Sequence, residues 1–462
     1  MDKYVTNEEQ KHNNPLGYEK ISKLLSKFAI PSIIAMIVSS LYNIIDQIFI
    51  GQGVGMLGNA ATNVAFPLTT ISLAISLLIG IGSASLFSLS LGKKDGETAS
   101  KCVGTAVWMS VILGSVYATI VEIFLSPLLN AFGATEETFV YAKEYVAITA
   151  IGMPFLIFTN ALSNLIRADG NPRYSMACMV VGAIANTILD PVFIFLLDMG
   201  VAGAAIATVI SQIISCGMVV AYLFKFKQVN AIQYIVKPDF KFWGQVAPLG
   251  LSNSFNQIAI AAVQIVLNNL LRHYGGLSVY GADIPLAACG VIMKANSIFV
   301  SVFVGFSQGS QPILGYNYGA TQFNRVKQTY LTVIKISAIV ALSGTLLFQL
   351  FPRLIISIFG NGNELYFEFS EKFMRIFLSM LVCVGIQIIS SNFFAAIGKP
   401  FIGVILSLSR QVLLFIPLVV LMPLAFGLDG ILFAGPIADV TSFTISIIFI
   451  IREFKIMKKL SA

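Results

Sequence analysis

The stretch AATNVAFPLTTISLAISLLIGIGSASLFSLSLG, residues 60–92, carries no charged side chain over its whole length. A helix needs about 20 apolar residues in a row to cross the hydrocarbon core of a bilayer. Lipid offers the backbone no hydrogen-bond partner, so a spanning segment this long and this apolar is a helix. The stretch therefore predicts a membrane-spanning helix.

Similar runs recur along nearly the whole chain. Of the 462 residues 56% are hydrophobic and only 11% are charged, too few to cover a soluble protein of this length. We predict an all-α polytopic membrane protein. Its twelve spans are expected at about 26–50, 60–84, 102–127, 141–164, 174–197, 201–224, 244–271, 286–309, 328–351, 373–396, 401–424 and 430–451.

Lysine and arginine outnumber aspartate and glutamate by 29 to 22, which gives a net charge of +7. With the N-terminus inside, 21 of the 29 basic residues fall on the cytoplasmic side, which is the positive-inside bias of membrane proteins. The bias supports twelve spans with both termini in the cytoplasm, and it explains the charge without a nucleic-acid partner. Because the N-terminal tail is polar for about 25 residues, we expect no signal peptide.

The chain repeats itself after the sixth span. Residues 60–92 align with AACGVIMKANSIFVSVFVGFSQGSQPILGYNYG (287–319), and ADGNP (168–172) falls on AIGKP (396–400). Each set of six spans is even in number, so the repeats run parallel, as in transporters with a midplane cavity between two lobes. The predicted divisions are a cytoplasmic tail (1–25), a first lobe (26–224), a cytoplasmic linker (225–243), a second lobe (244–451) and a cytoplasmic tail (452–462).

Three motifs resemble those of the multidrug and toxic compound extrusion (MATE) transporters. They are AIPSIIAMIVSSLYNIIDQIFIG (29–51), IRADGNPRYSM (166–176) and GFSQGSQPILGYNYGA (305–320), and the resemblance covers about residues 20–455. It implies a twelve-helix antiporter with two six-helix lobes, which expels amphipathic organic cations and other drugs in exchange for a cation.

Polar side chains from three spans of the first half lie at one depth. Asp46, Asp190 and Thr208 each stand roughly 8–12 Å below the outer surface, and Asn186 shares the helix face of Asp190. An unpaired carboxylate is costly in a membrane, and two close together repel, so one should be protonated or share a cation. The four residues predict a site for H⁺ or Na⁺ whose occupancy changes the local helix packing.

Two prolines are predicted to bend helices, and one of them adjoins this site. Pro191 removes a backbone hydrogen bond just after Asp190, and Pro31 lies in the first span. The second half lacks the acidic site, since apolar residues stand at the positions equivalent to Asp46, Asn186 and Asp190. These are Val263, Leu413 or Leu414, and Pro417 or Leu418.

One branch of the family carries a first-lobe cation site, built from a helix-one aspartate, an Asn-x-x-x-Asp pair in helix five, and a threonine and a backbone carbonyl in helix six. The resemblance assigns this pattern to Asp46, Asn186, Asp190, Thr208 and the carbonyl of Ala204. Other branches have acidic residues in helices seven and ten. LSNSFNQIAI (251–260) and LSMLVCVGIQIISSN (378–392) contain none, which argues against a second-lobe cation site.

Other side chains are candidates for contact with the cargo. Asn160 and Asn164 could face the cavity or bond to a neighbouring helix, and Lys294 could pack against carbonyls or pair with a substrate anion. Met36 and Tyr42 are weaker candidates, because methionine more often fills gaps in a core.

The remaining polar groups in the spans have structural interpretations. Arg410 and Asp439 are predicted to form an ion pair, and Glu122 to reach the outer surface. The five cysteines show no metal or redox spacing and are expected to pack as small apolar residues.

Two rival functions are an enzyme and a flippase for a lipid-linked precursor. An enzyme needs a nucleophile with a base, or clustered ligands, whereas the only histidines are His12 in the tail and His273 at a helix end. A flippase would need several basic residues around a phosphate, and only Lys294 and Arg410 are available.

We therefore predict a secondary active multidrug efflux transporter of the plasma membrane, which exports amphipathic, mostly cationic compounds in exchange for H⁺ or Na⁺ by alternating access. The flippase is the alternative. We expect a monomer that is not an enzyme, with no cofactor and no metal other than Na⁺ at the cation site. Its partners would be small drugs or toxic metabolites and the lipid bilayer.

Overall fold

The computed structural model describes residues 14–132, 134–229, 232–236, 239–359 and 362–461. Within these ranges, eleven continuous helices are long and apolar enough to cross a membrane, and a bent pair of helices forms a twelfth span. This confirms the predicted all-α fold of twelve spans in two six-helix repeats. The spans are Ile21–Gly53 (α1), Met56–Gly92 (α2), Gly96–Ile123 (α3), Glu136–Ala168 (α4), Pro172–Pro191 (α5), Gly200–Leu223 (α6), Trp243–Gly276 (α7), Asp283–Gly319 (α8), Phe323–Leu350 (α9), Glu364–Phe377 with Leu381–Ala396 (α10), Pro400–Phe426 (α11) and Leu428–Ser461 (α12).

The tenth span differs from the single helix expected at about 373–396. Its two halves meet at 49°, and the break between them contains neither proline nor glycine. Phe377, the last residue of the first half, packs edge-on against Phe415 of α11, and Leu378 in the break is buried in the second-lobe core. The bend therefore coincides with these packing contacts, and the sequence contains no proline or glycine that would predict it.

Shorter elements connect the spans. They are a 3₁₀ turn at Phe240–Phe242, α-helices at Leu125–Ala131, Ile232–Val236 and Pro352–Phe359, and a π-helical segment at Val192–Leu196. A 3₁₀ turn at Pro15–Gly17 precedes α1, and a second π-helical segment, Ser409–Phe415, lies within α11. Most of the predicted N-terminal tail, with His12, lies outside the described residues, as does Lys237 of the predicted linker.

Each half of the chain has its own apolar core. The first is centred on small and aliphatic side chains such as Ala161, Leu165 and Cys102, whereas the second is rich in phenylalanine. α1 is shared between them, because Leu24 and Phe28 in its first turns pack in one cluster with Phe393 of α10. The first turns of α1 therefore pack against the second lobe.

The lobes touch on the side of the membrane where α1 begins and α12 ends, which we call the terminal face. There α8 lies so close to α1 that a Cβ atom on Gly309 would sit 2.5 Å from the Cα of Ala29. α7 approaches α2 as closely, with the backbone carbonyl of Leu78 where a Cβ atom of Gly250 would be.

Hydrogen bonds also link the lobes in this half of the molecule. Arg167 of α4 donates to the Gln308 Oε1 of α8 over 2.7 Å, and the Ser40 and Ser297 hydroxyls lie 3.2 Å apart. The lobes are thus closed together near the terminal face.

We expect Gly250→Ala to destabilise the protein, because the new methyl group would overlap the Leu78 carbonyl. Overpacking of this kind costs about 1–3 kcal/mol, visible as a lower melting temperature of the purified protein in detergent. The matched control is Gly244→Ala on the same helix, where nothing lies within 4 Å of the added atom. It should be neutral or stabilising, since alanine favours a helix over glycine by up to about 1 kcal/mol. Equal melting temperatures for the two variants would contradict the close approach of α7 and α2.

Candidate functional site

Two carboxyl groups meet inside the first lobe. Asp46 projects from α1 and is 9% exposed, and Asp190, at the end of α5, is fully buried. The two side chains are close enough to interact directly. Within the described residues neither aspartate has an ion pair with a basic side chain.

The other predicted site residues surround this pair. Asn186 is fully buried one turn before Asp190, and its amide donates to the Thr208 hydroxyl of α6 over 3.3 Å. Ala204 lies one turn before Thr208 and is also fully buried. The structure therefore brings together the four residues that the sequence predicts as a cation site, and Ala204, which the resemblance adds, packs with Ile50 and Ile194.

Several oxygen atoms of this cluster have no hydrogen-bond donor within the described part of the chain. They are Oδ1 of Asp46, Oδ1 of Asn186 and both carboxylate oxygens of Asp190. Burying such acceptors without a partner is unfavourable, and for carboxylates the cost is high. A proton or a hard cation such as Na⁺ would satisfy them, so the residues present fit either ion.

Pro191 marks a change in the helix directly after Asp190. The segment Val192–Leu196 is π-helical, and the Leu197 amide donates to the Val192 carbonyl over 3.0 Å. Such single-turn π segments are frequent at functional sites. By contrast, Pro31 lies within the continuous helix α1.

Two tyrosines complete the site, and one of them was not predicted. Tyr42 of α1, expected only as a weak cargo contact, approaches the Thr208 side chain, as does Tyr145 of α4. Tyr145 is one of 15 tyrosines in the chain, and nothing in its neighbouring sequence sets it apart. Only the folding of α4 beside α6 places its hydroxyl at the cluster.

The predicted cargo contacts lie in different environments. Asn164 is buried inside the first lobe, and its amide donates to the Asn160 carbonyl over 2.9 Å. The Asn160 amide in turn donates to its own helix at Leu156. Met36 is half-buried on α1, whereas Lys294 of α8 is exposed.

The second lobe has a buried ion pair of its own. Arg410 of α11 donates to Asp439 of α12 over 2.7 Å, as the sequence predicted. The positions equivalent to Asn186 and Asp190 are apolar there, and Leu413 is 64% exposed. Glu122, at the end of α3, is exposed, and all five cysteines are free thiols.

Comparison with known proteins gives relatives along almost the whole chain. The protein is 23% identical over 420 residues to the multidrug export protein MepA of Staphylococcus aureus (strain MSSA476), and 24% identical over 421 residues to MepA of Staphylococcus haemolyticus (strain JCSC1435). Each alignment covers 91% of both chains.

Solved structures share the fold. An outward-facing multidrug resistance MATE family transporter of the MOP superfamily has a TM-score of 0.89 at 22% identity, covering 99% of this chain and 100% of that one. A MATE crystal structure in the straight conformation also has a TM-score of 0.89 at 22% identity, covering 96% and 98%.

The MatE family model matches residues 31–192 and 254–421, one block in each lobe. These blocks contain Asp46, Asn186 and Asp190, and together they make up more than half of the chain. The protein belongs to the MatE family, the multidrug and toxic compound extrusion transporters that its motifs resemble.

Proposed function

We propose that the protein is a secondary active multidrug exporter that exchanges amphipathic, mostly cationic compounds for H⁺ or Na⁺ bound in the first lobe. The observation that carries the proposal is the pair of neighbouring buried acids Asp46 and Asp190, whose unpartnered oxygens require a positive charge. Membership of the family supports the transport reaction, and the two acids are the proposed coupling site.

The chemistry of the cluster suits an exchangeable ion. Carboxylate, amide, hydroxyl and carbonyl oxygens are the ligands that hard cations prefer. A proton shared between the two carboxyl groups would relieve the same repulsion. Na⁺ and H⁺ therefore compete for one set of atoms.

The geometry also gives the ion a way to move the lobes. The cluster joins α1 to α5, and Ile194 of the π-helical segment packs with Ile50 of α1 and Ala204 of α6. When the ion leaves, repulsion between the carboxylates disfavours this packing. Since α1 also touches α8 at Ala29, a displacement of α1 would act on the contact between the lobes.

We propose that the protein is a monomer without a cofactor. It would lie in the plasma membrane with the terminal face in the cytoplasm. The excess of basic residues on the terminal side supports this orientation. The lobes are closed together near that face, so the space between them would open outward in this conformation.

Asp190→Asn is expected to abolish ion-coupled export, because the amide cannot release a proton or carry the charge that holds Na⁺. The assay uses purified protein in liposomes with a fluorescent lipophilic cation, driven by a pH gradient or a Na⁺ gradient applied separately. Dye movement in the variant should fall to that of protein-free liposomes.

Glu122→Gln is the matched control for this experiment. It removes an acidic group from the exposed end of α3 and should transport like the unchanged protein. Normal transport by Asp190→Asn would refute coupling in the first lobe. A failure of the unchanged protein to move dye under either gradient would overturn the export proposal and favour the lipid-precursor flippase.

Thr208→Val is expected to weaken the cation site without abolishing transport, since it removes one oxygen ligand and the partner of the Asn186 amide. Losing one hydrogen bond to a charged group costs roughly 1.5–3 kcal/mol, so the ion concentration for half-maximal transport should rise by roughly ten-fold or more. Thr187→Val is the control, because the Thr187 hydroxyl donates only to its own helix, at the Ala183 carbonyl. Equal ion dependence of the two variants would remove Thr208 from the site.

A further inference from the structure

Lys294 is a cation deep within the membrane-spanning part of the second lobe. It lies eleven residues after Asp283, the first residue of α8, which places it about 16 Å below that end of the helix. The hydrocarbon core is about 30 Å thick, so Lys294 is near its middle. Charged residues at this depth almost always face the bundle interior or a water-filled cavity.

The face of α8 that carries Lys294 is directed towards the first lobe. Residues three, four, seven and eleven apart share one helix face, which places Lys294 in line with Ser297 and Gly305. Ser297 lies against Ser40 of α1, and a Cβ atom on Gly305 would come within 2.6 Å of the Cα of Ile33. Lys294 therefore continues the stripe along which α8 packs on α1.

The side chains of this stripe become exposed at the level of Lys294. The pairs Gly305 with Ile33 and Ser297 with Ser40 show that α8 and α1 run antiparallel. One turn further along, the next residues of this stripe are Lys294 on α8 and Asn43 on α1, and both are exposed. They follow directly after the serine pair on the stripe along which α8 and α1 pack.

Lys294 has no counter-charge within the described residues. It takes part in none of the ion pairs of the structure, and its ammonium group makes no hydrogen bond there. Among the other charges within the spans, Asp46 faces Asp190 and Arg410 is bound to Asp439, whereas Lys335 of α9 is exposed.

Two hydrogen-bond donors lie near Lys294. The Ser297 hydroxyl donates to the Lys294 backbone carbonyl over 2.7 Å, so the Ser40 hydroxyl, 3.2 Å from the Ser297 oxygen, supplies a donor of its own. The Asn43 amide donates one N–H to the Ser39 carbonyl over 2.7 Å and keeps a second. An ammonium group beside a hydroxyl is a suitable receptor for an oxyanion, since hydrogen bonds between charged partners are about twice as strong as neutral ones. The acids of the cation site are buried in the first lobe, so they do not cancel this positive charge.

We propose that Lys294, with the Ser40 hydroxyl, binds a carboxylate group of the cargo. The inference rests on the proposed export function and extends its cargo from organic cations to amphipathic zwitterions and anions that carry a carboxylate. An uncompensated lysine opposes closure of the lobes around it, because closure removes its water. A bound carboxylate removes that obstacle, so cargo of this class would favour the closing step.

The test uses a rhodamine with a free carboxyl group and the methyl ester of the same dye. The two compounds differ only in the group that Lys294 would bind. Transport of each is measured in proteoliposomes under the gradient that drives export, and binding to the purified protein is followed by fluorescence polarisation. We expect Lys294→Met to lower the ratio of acid to ester by about ten-fold in both measurements, the loss expected for one charged hydrogen bond.

Two further variants make the result specific. Lys294→Arg keeps the charge. Its ratio of acid to ester should therefore stay above the ratio measured for Lys294→Met. Lys335→Met removes another lysine from the middle of a span, on a stripe of α9 whose neighbours Leu331 and Ile339 are 39% and 66% exposed. It should leave the ratio unchanged.

The possible outcomes separate this inference from the function on which it rests. An unchanged ratio in Lys294→Met, or transport of the ester but not of the acid by the unchanged protein, overturns the carboxylate site and leaves the export function intact. Failure of the unchanged protein to move either dye overturns both. Because the ratio is taken within one variant, a partial loss of folded protein affects both dyes equally and cancels. If a variant transports neither dye, the binding measurement decides.

Discussion

The contact between Asp46 and Asp190 is the constraint on which the first lobe depends, because two carboxyl groups buried side by side repel each other unless positive charge lies between them. The two residues come from different helices, α1 and α5. Anything that neutralises the pair therefore also ties these helices together. Asn186 and Thr208, which are hydrogen-bonded to each other, fill the remaining side of the cluster with polar atoms.

The second lobe also buries charged side chains, and there the opposite charge comes from another residue of the chain. With the repeat offset of 227 residues, Arg410 and Asp439 fall on Ala183 and Gln212, each about one turn from Asn186 or Thr208. Both lobes thus place buried polar groups between the fifth and sixth helices of their repeat. A guanidinium group does not lose its charge at physiological pH, so the pair of the second lobe is permanent, whereas a proton or Na⁺ on the acids of the first lobe can exchange.

α1 relates these sites to the movement expected of a transporter. Its first turns are buried among second-lobe residues, its middle touches α8 through Ser40, and Asp46 lies further along the same helix. Glycines at the contacts between the lobes allow the helices to approach closely, as small residues do in membrane proteins generally. Such closely packed helices move as units, so a change at Asp46 is expected to act at the lobe contact rather than be absorbed by loose side chains.

How much the sequence could predict differs between the fold and the sites. Apolar runs and the basic residues between them were sufficient for the number of spans, because lipid requires long helices and their lengths are read directly from the chain. The repeat, the acid pair and Arg410 with Asp439 were also accessible, since charged residues inside a span are few and their depth follows from counting residues. The direction in which each helix faces was not accessible, because a span that is apolar on all sides carries no amphipathic pattern.

That limit explains what was missed. The sequence does not predict the break in α10, the position of Tyr145 beside Thr208, or the position of Lys294 on the stripe of α8 that packs against α1. The sequence by itself determined a twelve-helix membrane protein of two related halves with the pair of acids, Asp46 and Asp190, in only one of them, since composition and depth are properties of each span alone. The tertiary structure decided which polar groups meet and which face the space between the lobes, because contacts across helices depend on their rotation and packing against neighbours.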